Sequence, residues 1–216
     1  MKIERIAIFG GTFNPPHKGH YLALKALIRE MRPDKAYIVP NRKPLLKDED
    51  FGDVTDEDRC QMIGYTFGQL KKASILRYEL ESQRESYTAY TVEYVKSLHP
   101  DSIIFLLIGT DQLLQLEKWY KFDYLTENCA FCVADRENSA APEVLAVAEK
   151  LRRLYRAKII FLNFKAAVVS STQQRERLCL GQDCPELTIN TMKYISEKEL
   201  YVENKVIREI RKGREI

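Results

Sequence analysis

Short apolar runs alternate along this chain with longer segments whose apolar positions recur every three or four residues. The runs Ile3–Phe9, Ala36–Val39, Ser74–Leu80, Ile103–Ile108, Ala130–Ala134 and Lys158–Leu162 predict strands. The periodic segments Gly19–Met31, Asp56–Leu70, Ala89–Leu98, Asp111–Tyr120, Pro142–Tyr155, Thr172–Leu180 and Asn190–Leu200 predict helices. Strands that are apolar on both faces, each followed by a helix, predict a parallel sheet covered on both sides. The expected fold class is therefore α/β, a Rossmann-like doubly wound sheet with a small C-terminal helical part.

Local signals support these boundaries. Thr55 with Asp58 is a weaker variant of the capping box, and Ser171 or Thr172 is placed to cap the helix that follows. Pro100 and Pro142 punctuate helix ends. The polar segment Asn41–Asp53 predicts a long loop after the second strand, at the carboxyl edge where open α/β sheets bind ligands. Past Tyr201, the stripe Val202, Val206, Ile207 and Ile210 predicts a helical extension over 202–216, outside a main domain of 1–201.

Composition narrows the picture. With 216 residues, 45% of them apolar, the chain suits one domain with a full core. Its 34 basic and 31 acidic residues are too evenly balanced for a nucleic-acid surface. No apolar stretch is long enough to cross a bilayer and no signal-peptide pattern opens the chain, so a cytoplasmic protein without a membrane partner is expected. The cysteines, Cys60, Cys129, Cys132, Cys179 and Cys184, are odd in number and suggest no disulfide framework. Cys129 and Cys132 fall on one strand, where residues three apart face opposite ways, which argues against a zinc site.

Two of the three histidines sit in Gly10-Gly11-Thr12-Phe13-Asn14-Pro15-Pro16-His17-Lys18-Gly19-His20, between an apolar strand and a helix. Unsatisfied N–H groups at a helix start favour an anion, and glycines admit a phosphate closely. His17 and His20 add donors there; they lack a nearby third ligand for a metal. The ending of a P-loop and the dinucleotide GxGxxG pattern are both missing. A second strand-to-helix junction, Ser170-Ser171-Thr172-Gln173-Gln174-Arg175, offers hydroxyls and a cationic fork suited to polyphosphate. In Ile108-Gly109-Thr110-Asp111 an acid opens a helix, as a helix-end charge or a ribose ligand. Trp119, the only tryptophan, reads either as core or as an aromatic platform. Ser86-Tyr87-Thr88 precedes a helix start that suits a carboxylate.

The first loop, with Pro16-His17-Lys18-Gly19-His20, resembles the signature of the nucleotidylyltransferase superfamily, and in detail its bacterial nicotinate-mononucleotide adenylyltransferases. Ser-Ser-Thr-x-x-Arg and Ile-Gly-x-Asp are similar to that family's further motifs. The resemblance implies AMP transfer from ATP to nicotinate mononucleotide in NAD biosynthesis, with Mg²⁺ arriving on ATP. It implies catalytic roles for His17, His20 and Arg175. It implies ATP contacts from Gly10, Gly11, Thr12, Phe13, Gly109, Asp111, Ser171 and Thr172. Lys47, Ser86, Tyr87, Thr88, Trp119 and Tyr120 would meet the pyridine nucleotide. Two positions depart from the family pattern: Leu46 stands for its usual histidine and Tyr90 for a frequent acid. The rival readings are transfer to nicotinamide mononucleotide, transfer to another acceptor such as phosphopantetheine, and a non-catalytic nucleotide sensor. A class I tRNA synthetase core shares the histidine loop, but this chain leaves no room for its further domains.

Overall fold

A computed structural model describes residues 3–42, 54–134, 141–163 and 169–202. Lys47 and Leu46, most of the loop Asn41–Asp53, and residues 203–216 of the expected extension lie outside the described residues. Strands β1 (Arg5–Gly11), β2 (Lys35–Pro40), β3 (Ala73–Ile75), β4 (Ile103–Gly109), β5 (Cys129–Ala134) and β6 (Lys158–Phe161) form one sheet. Its order is β3-β2-β1-β4-β5-β6, and every pairing is parallel. The helices are α1 (Lys18–Met31), α2 (Asp56–Phe67), α3 (Tyr78–Glu81), α4 (Thr88–Leu98), α5 (Thr110–Leu113), α6 (Phe122–Asn128), α7 (Pro142–Tyr155), α8 (Ser171–Cys179) and α9 (Ile189–Glu197).

The period-two alternation of the strands sorts the core into two faces. Ile6 and Ile8 of β1 join Leu106, Phe131 and residues of α4, α6 and α7 on one side. Ala7 and Phe9 join Ile38, Leu107 and residues of α1 and α2 on the other. This is the expected doubly wound fold. Cys129 lies in the first cluster and Cys132 in the second, so the two thiols face away from each other. Burial pushes both up to about 12, which leaves them unreactive. A third cluster, Met62, Cys184, Leu187, Ile195 and Leu200, packs the end of the described chain onto α2. None of the described helices is long and apolar enough to cross a membrane.

Three local expectations are corrected. Ser74–Leu80 is not a strand throughout: the edge strand β3 ends at Ile75 and Tyr78–Glu81 turns into helix. The turn carries Glu79 inward, where the Thr91 hydroxyl donates to its carboxylate at 2.6 Å. Asp111–Tyr120 is not one helix. It breaks into α5 and a 3₁₀ turn, Leu116–Lys118, and Trp119 follows in extended conformation. Three-residue spacing sets Leu113 and Leu116 on one side, both fully buried, and that packing outweighs a sequence of good helix formers. Helix α6 is absent from the expected set, hidden in the mixed string Phe122–Asn128.

The strand order reverses between β1 and β4, which run side by side in parallel. Their carboxyl ends therefore open on one crevice, the place where such sheets bind ligands. The Gly10–His20 loop leaves β1 there, and Gly109-Thr110-Asp111 leaves β4.

Candidate active site

His17 is the N-cap of α1 rather than a residue within it. Its Nδ1 accepts the His20 backbone N–H at 3.4 Å, and the His20 Nδ1 accepts the His17 N–H at 3.2 Å. Two imidazoles thus fill a reciprocal capping box that Ser or Thr and Glu or Gln normally supply. The rings stack, 3.7 Å between centroids. A neutral imidazole that accepts at Nδ1 carries its proton at Nε2, so the cap assigns each ring an Nε2–H donor. His17 is only 2% exposed, whereas His20 is half-buried. Gly19 makes this packing possible: a Cβ there would meet the His17 ring at 3.1 Å and Val169 at 3.0 Å.

The carbonyls of the loop are caught by side chains from distant parts of the chain. Arg59 of α2, fully buried, donates to the Thr12 carbonyl at 2.8 Å and the Asn41 carbonyl at 2.6 Å. Arg175 donates to the Asn14 carbonyl at 2.8 Å and to the Thr172 hydroxyl at 3.3 Å. Ser171 donates to the Pro15 carbonyl at 2.9 Å. The Tyr201 hydroxyl donates to the buried Asn14 side chain at 2.5 Å, and burial raises that phenol well above its ordinary range. The N-cap of α8 is Ser170, in a box with Gln173, instead of Ser171 or Thr172. Of the predicted residues, Thr12, Phe13, His17, His20, Ser171, Thr172 and Arg175 are all brought together. The N-termini of α1 and α8 are consequently clamped to one loop, two anion-favouring ends side by side.

The Asn41–Arg42 pair links this loop to the other half of the site. The Asn41 N–H donates to Gly11, its side chain to Thr12, and the Arg42 N–H to the Ser86 hydroxyl at 3.2 Å. Beyond Ser86, Tyr87 stacks on Tyr120 at 4.5 Å between centroids, and the Tyr90 hydroxyl donates to that of Tyr120 at 3.3 Å. Lys121 and Arg84 lie over the Tyr90 ring at 5.4 and 5.0 Å. Tyr87, Tyr90, Arg84 and Lys121 line an open depression of about 700 Å³. Trp119 is half-buried and packs against the core of the first face, so its ring serves packing whatever else it does. Thr88 is the first residue of α4, and Tyr87 its N-cap. Under the same element, burial raises the Glu79 carboxyl, against the lowering effect of hydrogen bonds from Thr91 and Ser86. Gly109 is the N-cap of α5, where a Cβ would run into the Asp111 carboxylate, and Asp111 is exposed at the crevice.

The model of the cytidylyltransferase-like family matches residues 8–177. The chain belongs to that family. It is thereby a nucleotidyltransferase. A Clostridium tetani protein named "Probable nicotinate-nucleotide adenylyltransferase" is 33% identical over 197 residues, 88% of this chain and 97% of that protein. Two solved structures of Plasmodium falciparum nicotinic acid mononucleotide adenylyltransferase share the fold at 21% identity. The complex with APC gives a TM-score of 0.71 and that with NaAD 0.73; each comparison covers 92% of this chain and 97% of the other.

Sequence reasoning missed Arg59, Asn14, Asn41 and Tyr201. For Arg59 a signal existed. It shares a helical stripe with Ile63 and Phe67, which face the core, and a cation in such a stripe must have buried partners. Asn14 and Asn41 bond through backbone groups and amides, and Tyr201 through a phenol at the far end of the chain, and none of the three leaves a pattern.

Proposed function

We propose that this chain transfers AMP from ATP to the 5′-phosphate of nicotinate mononucleotide, giving nicotinate adenine dinucleotide and pyrophosphate. The observation that carries the reading is the clamp of two helix N-termini, a histidine pair and Arg175 onto one loop. A phosphate monoester oxygen of the mononucleotide attacks the α-phosphorus in line. The new P–O bond forms as the bond to the β-phosphate oxygen breaks, and pyrophosphate leaves with the electron pair. The nucleophile is already anionic at neutral pH, so the protein needs neither a nucleophilic side chain nor a strong base. Its task is to align two polyanions and to meet the charge that develops.

In this reading the His20 Nε2–H and the backbone donors at Thr12 and Phe13 serve the α-phosphate. His17, buried behind, holds the His20 ring at its angle. Arg175, Ser171 and Thr172 hold the departing phosphates, Gly10 and Gly11 let the nucleotide approach, and Asp111 meets the ribose. Trp119, Tyr120, Tyr87 and the Ser86–Thr88 helix start receive the pyridine ring and its carboxylate, and Lys47 is assigned to the same nucleotide. The donor set is imidazole, guanidinium and N–H, which suits phosphate oxygens. Among the described residues no cluster of His, Cys, Asp and Glu could hold a metal. Magnesium would accordingly come with ATP, held by phosphates and water, and supply neutralisation of the phosphate charge. A reaction fed by ATP suits a cytoplasmic protein.

The test is product analysis. With ATP, magnesium and nicotinate mononucleotide, the dinucleotide and pyrophosphate should appear in equal amounts, and nicotinamide mononucleotide should react more slowly. Absence of dinucleotide with both acceptors would refute the reading.

A further inference from the structure

We propose that Arg59 is a positioning residue for adenylyl transfer, which aims the Phe13 N–H at the α-phosphate; the inference rests on the function proposed above. A trans peptide unit sets its N–H and its carbonyl on opposite sides. The Thr12 carbonyl accepts from Arg59 Nη1 at 2.8 Å, from within the protein. The N–H of the same peptide unit, that of Phe13, must therefore point the other way, out of the loop. The other two loop carbonyls held by side chains, of Asn14 and Pro15, accept from Arg175 and Ser171, but each precedes a proline nitrogen, which has no hydrogen. Phe13 thus carries the single N–H that the side chains holding these three carbonyls turn outward.

Phe13 needs the support. Its φ of 51° lies in the left-handed region, which is strained for a non-glycine residue. Its ring, 1% exposed, packs on Phe9, Phe67 and His20, with centroids 5.2, 5.9 and 5.2 Å away, and so fixes the residue from the other side. Arg59 also grips the Asn41 carbonyl, and Asp56 Oδ1 accepts from the same guanidinium at 2.5 Å. One fork therefore sets the loop after β1 against the loop after β2, the segment that leads to Ser86. A lysine ammonium could reach one of these carbonyls, whereas the planar fork spans both.

The test compares wild type with Arg59→Lys, using ATP in which one or the other non-bridging α-phosphate oxygen is replaced by sulfur. In the wild type the diastereomer whose sulfur faces Phe13 N–H should react more slowly. In Arg59→Lys kcat with ordinary ATP should fall about 10²-fold, the usual cost of a lost transition-state donor. The rate ratio between the two diastereomers should shrink towards one, and the KM for nicotinate mononucleotide should hold. Should Arg59→Lys not fold, Asp56→Asn, at the solvent side of the same guanidinium, must shift the ratio in the same direction. An unchanged ratio in a folded variant, with only the melting temperature lowered, would overturn the inference and leave the functional reading intact. A wild type that makes no dinucleotide would overturn both.

Discussion

At the phosphate end of the crevice the residues that would touch ATP are themselves tied down. His20 is boxed with the nearly buried His17 at the start of α1, and Arg175 and Ser171 bond to the loop that they flank. At the pyridine end the ring-bearing residues meet one another at the surface. Tyr120 is 40% exposed, and it is held by stacking on Tyr87 and by one hydroxyl bond from Tyr90. The first arrangement fixes donors in advance of any ligand, and oriented donors of that kind are what stabilises developing charge. The second supplies faces and adaptable contacts, enough to sort acceptors but not to drive a reaction. In the proposed function, then, the rigid half carries the chemistry and the softer one the selection.

The largest effect is expected from Arg175→Ala. Because the guanidinium both clamps Asn14 and is assigned to the leaving phosphates, kcat should fall about 10²–10³-fold. Thermal stability should fall in the same variant, since the Asn14 carbonyl loses its donor. A change in KM for ATP alone would put Arg175 outside the transition state. Trp119→Ala probes the softer half. It should raise the KM for nicotinate mononucleotide about tenfold, the loss of about 1.4 kcal/mol of ring contact, and leave kcat near wild type. Lost stability with an unaltered KM would make Trp119 a core residue only.

The smallest effect concerns Glu79, under the pyridine end. Its folded-state pKa is raised above the ordinary 4.5 by burial. The folded protein therefore holds this proton more tightly than the unfolded chain does. The linked stability is fully present below about pH 4.5 and is lost as pH rises through the folded value. Glu79→Gln keeps the oxygen that accepts from Thr91 but cannot ionise. Its melting temperature should thus gain on the wild type as pH rises above 4.5. A gap that does not change with pH would show that the carboxyl is not strained by its surroundings.

Much of the phosphate end was legible because its signatures are contiguous: Gly10–His20 gathers glycines, a hydroxyl and two histidines, and Ser170–Arg175 gathers hydroxyls and a cation, each in one short stretch of chain. The doubly wound sheet followed from strands apolar on both faces, such as Ile104–Ile108. What escaped is what joins distant stretches through groups common to all residues. Arg59 to Thr12 and Arg175 to Asn14 span 47 and 161 positions. A carbonyl acceptor has no side-chain signature, so a sequence names the donor at most. Helical propensity misled at Asp111–Tyr120 because burial of Leu113 and Leu116 imposed the tighter turn. At Ser74–Leu80 alternation suggested a longer strand than an edge position with one neighbour supports.

The most direct test of the claim that the histidine loop runs adenylyl transfer is pyrophosphate release by His20→Ala against wild type. Both are measured with saturating ATP, magnesium and nicotinate mononucleotide, and their melting temperatures are taken alongside. The expected rate is lower by about 10²–10³-fold, with only a small change in melting temperature. A folded His20→Ala protein that releases pyrophosphate at the wild-type rate would contradict the claim.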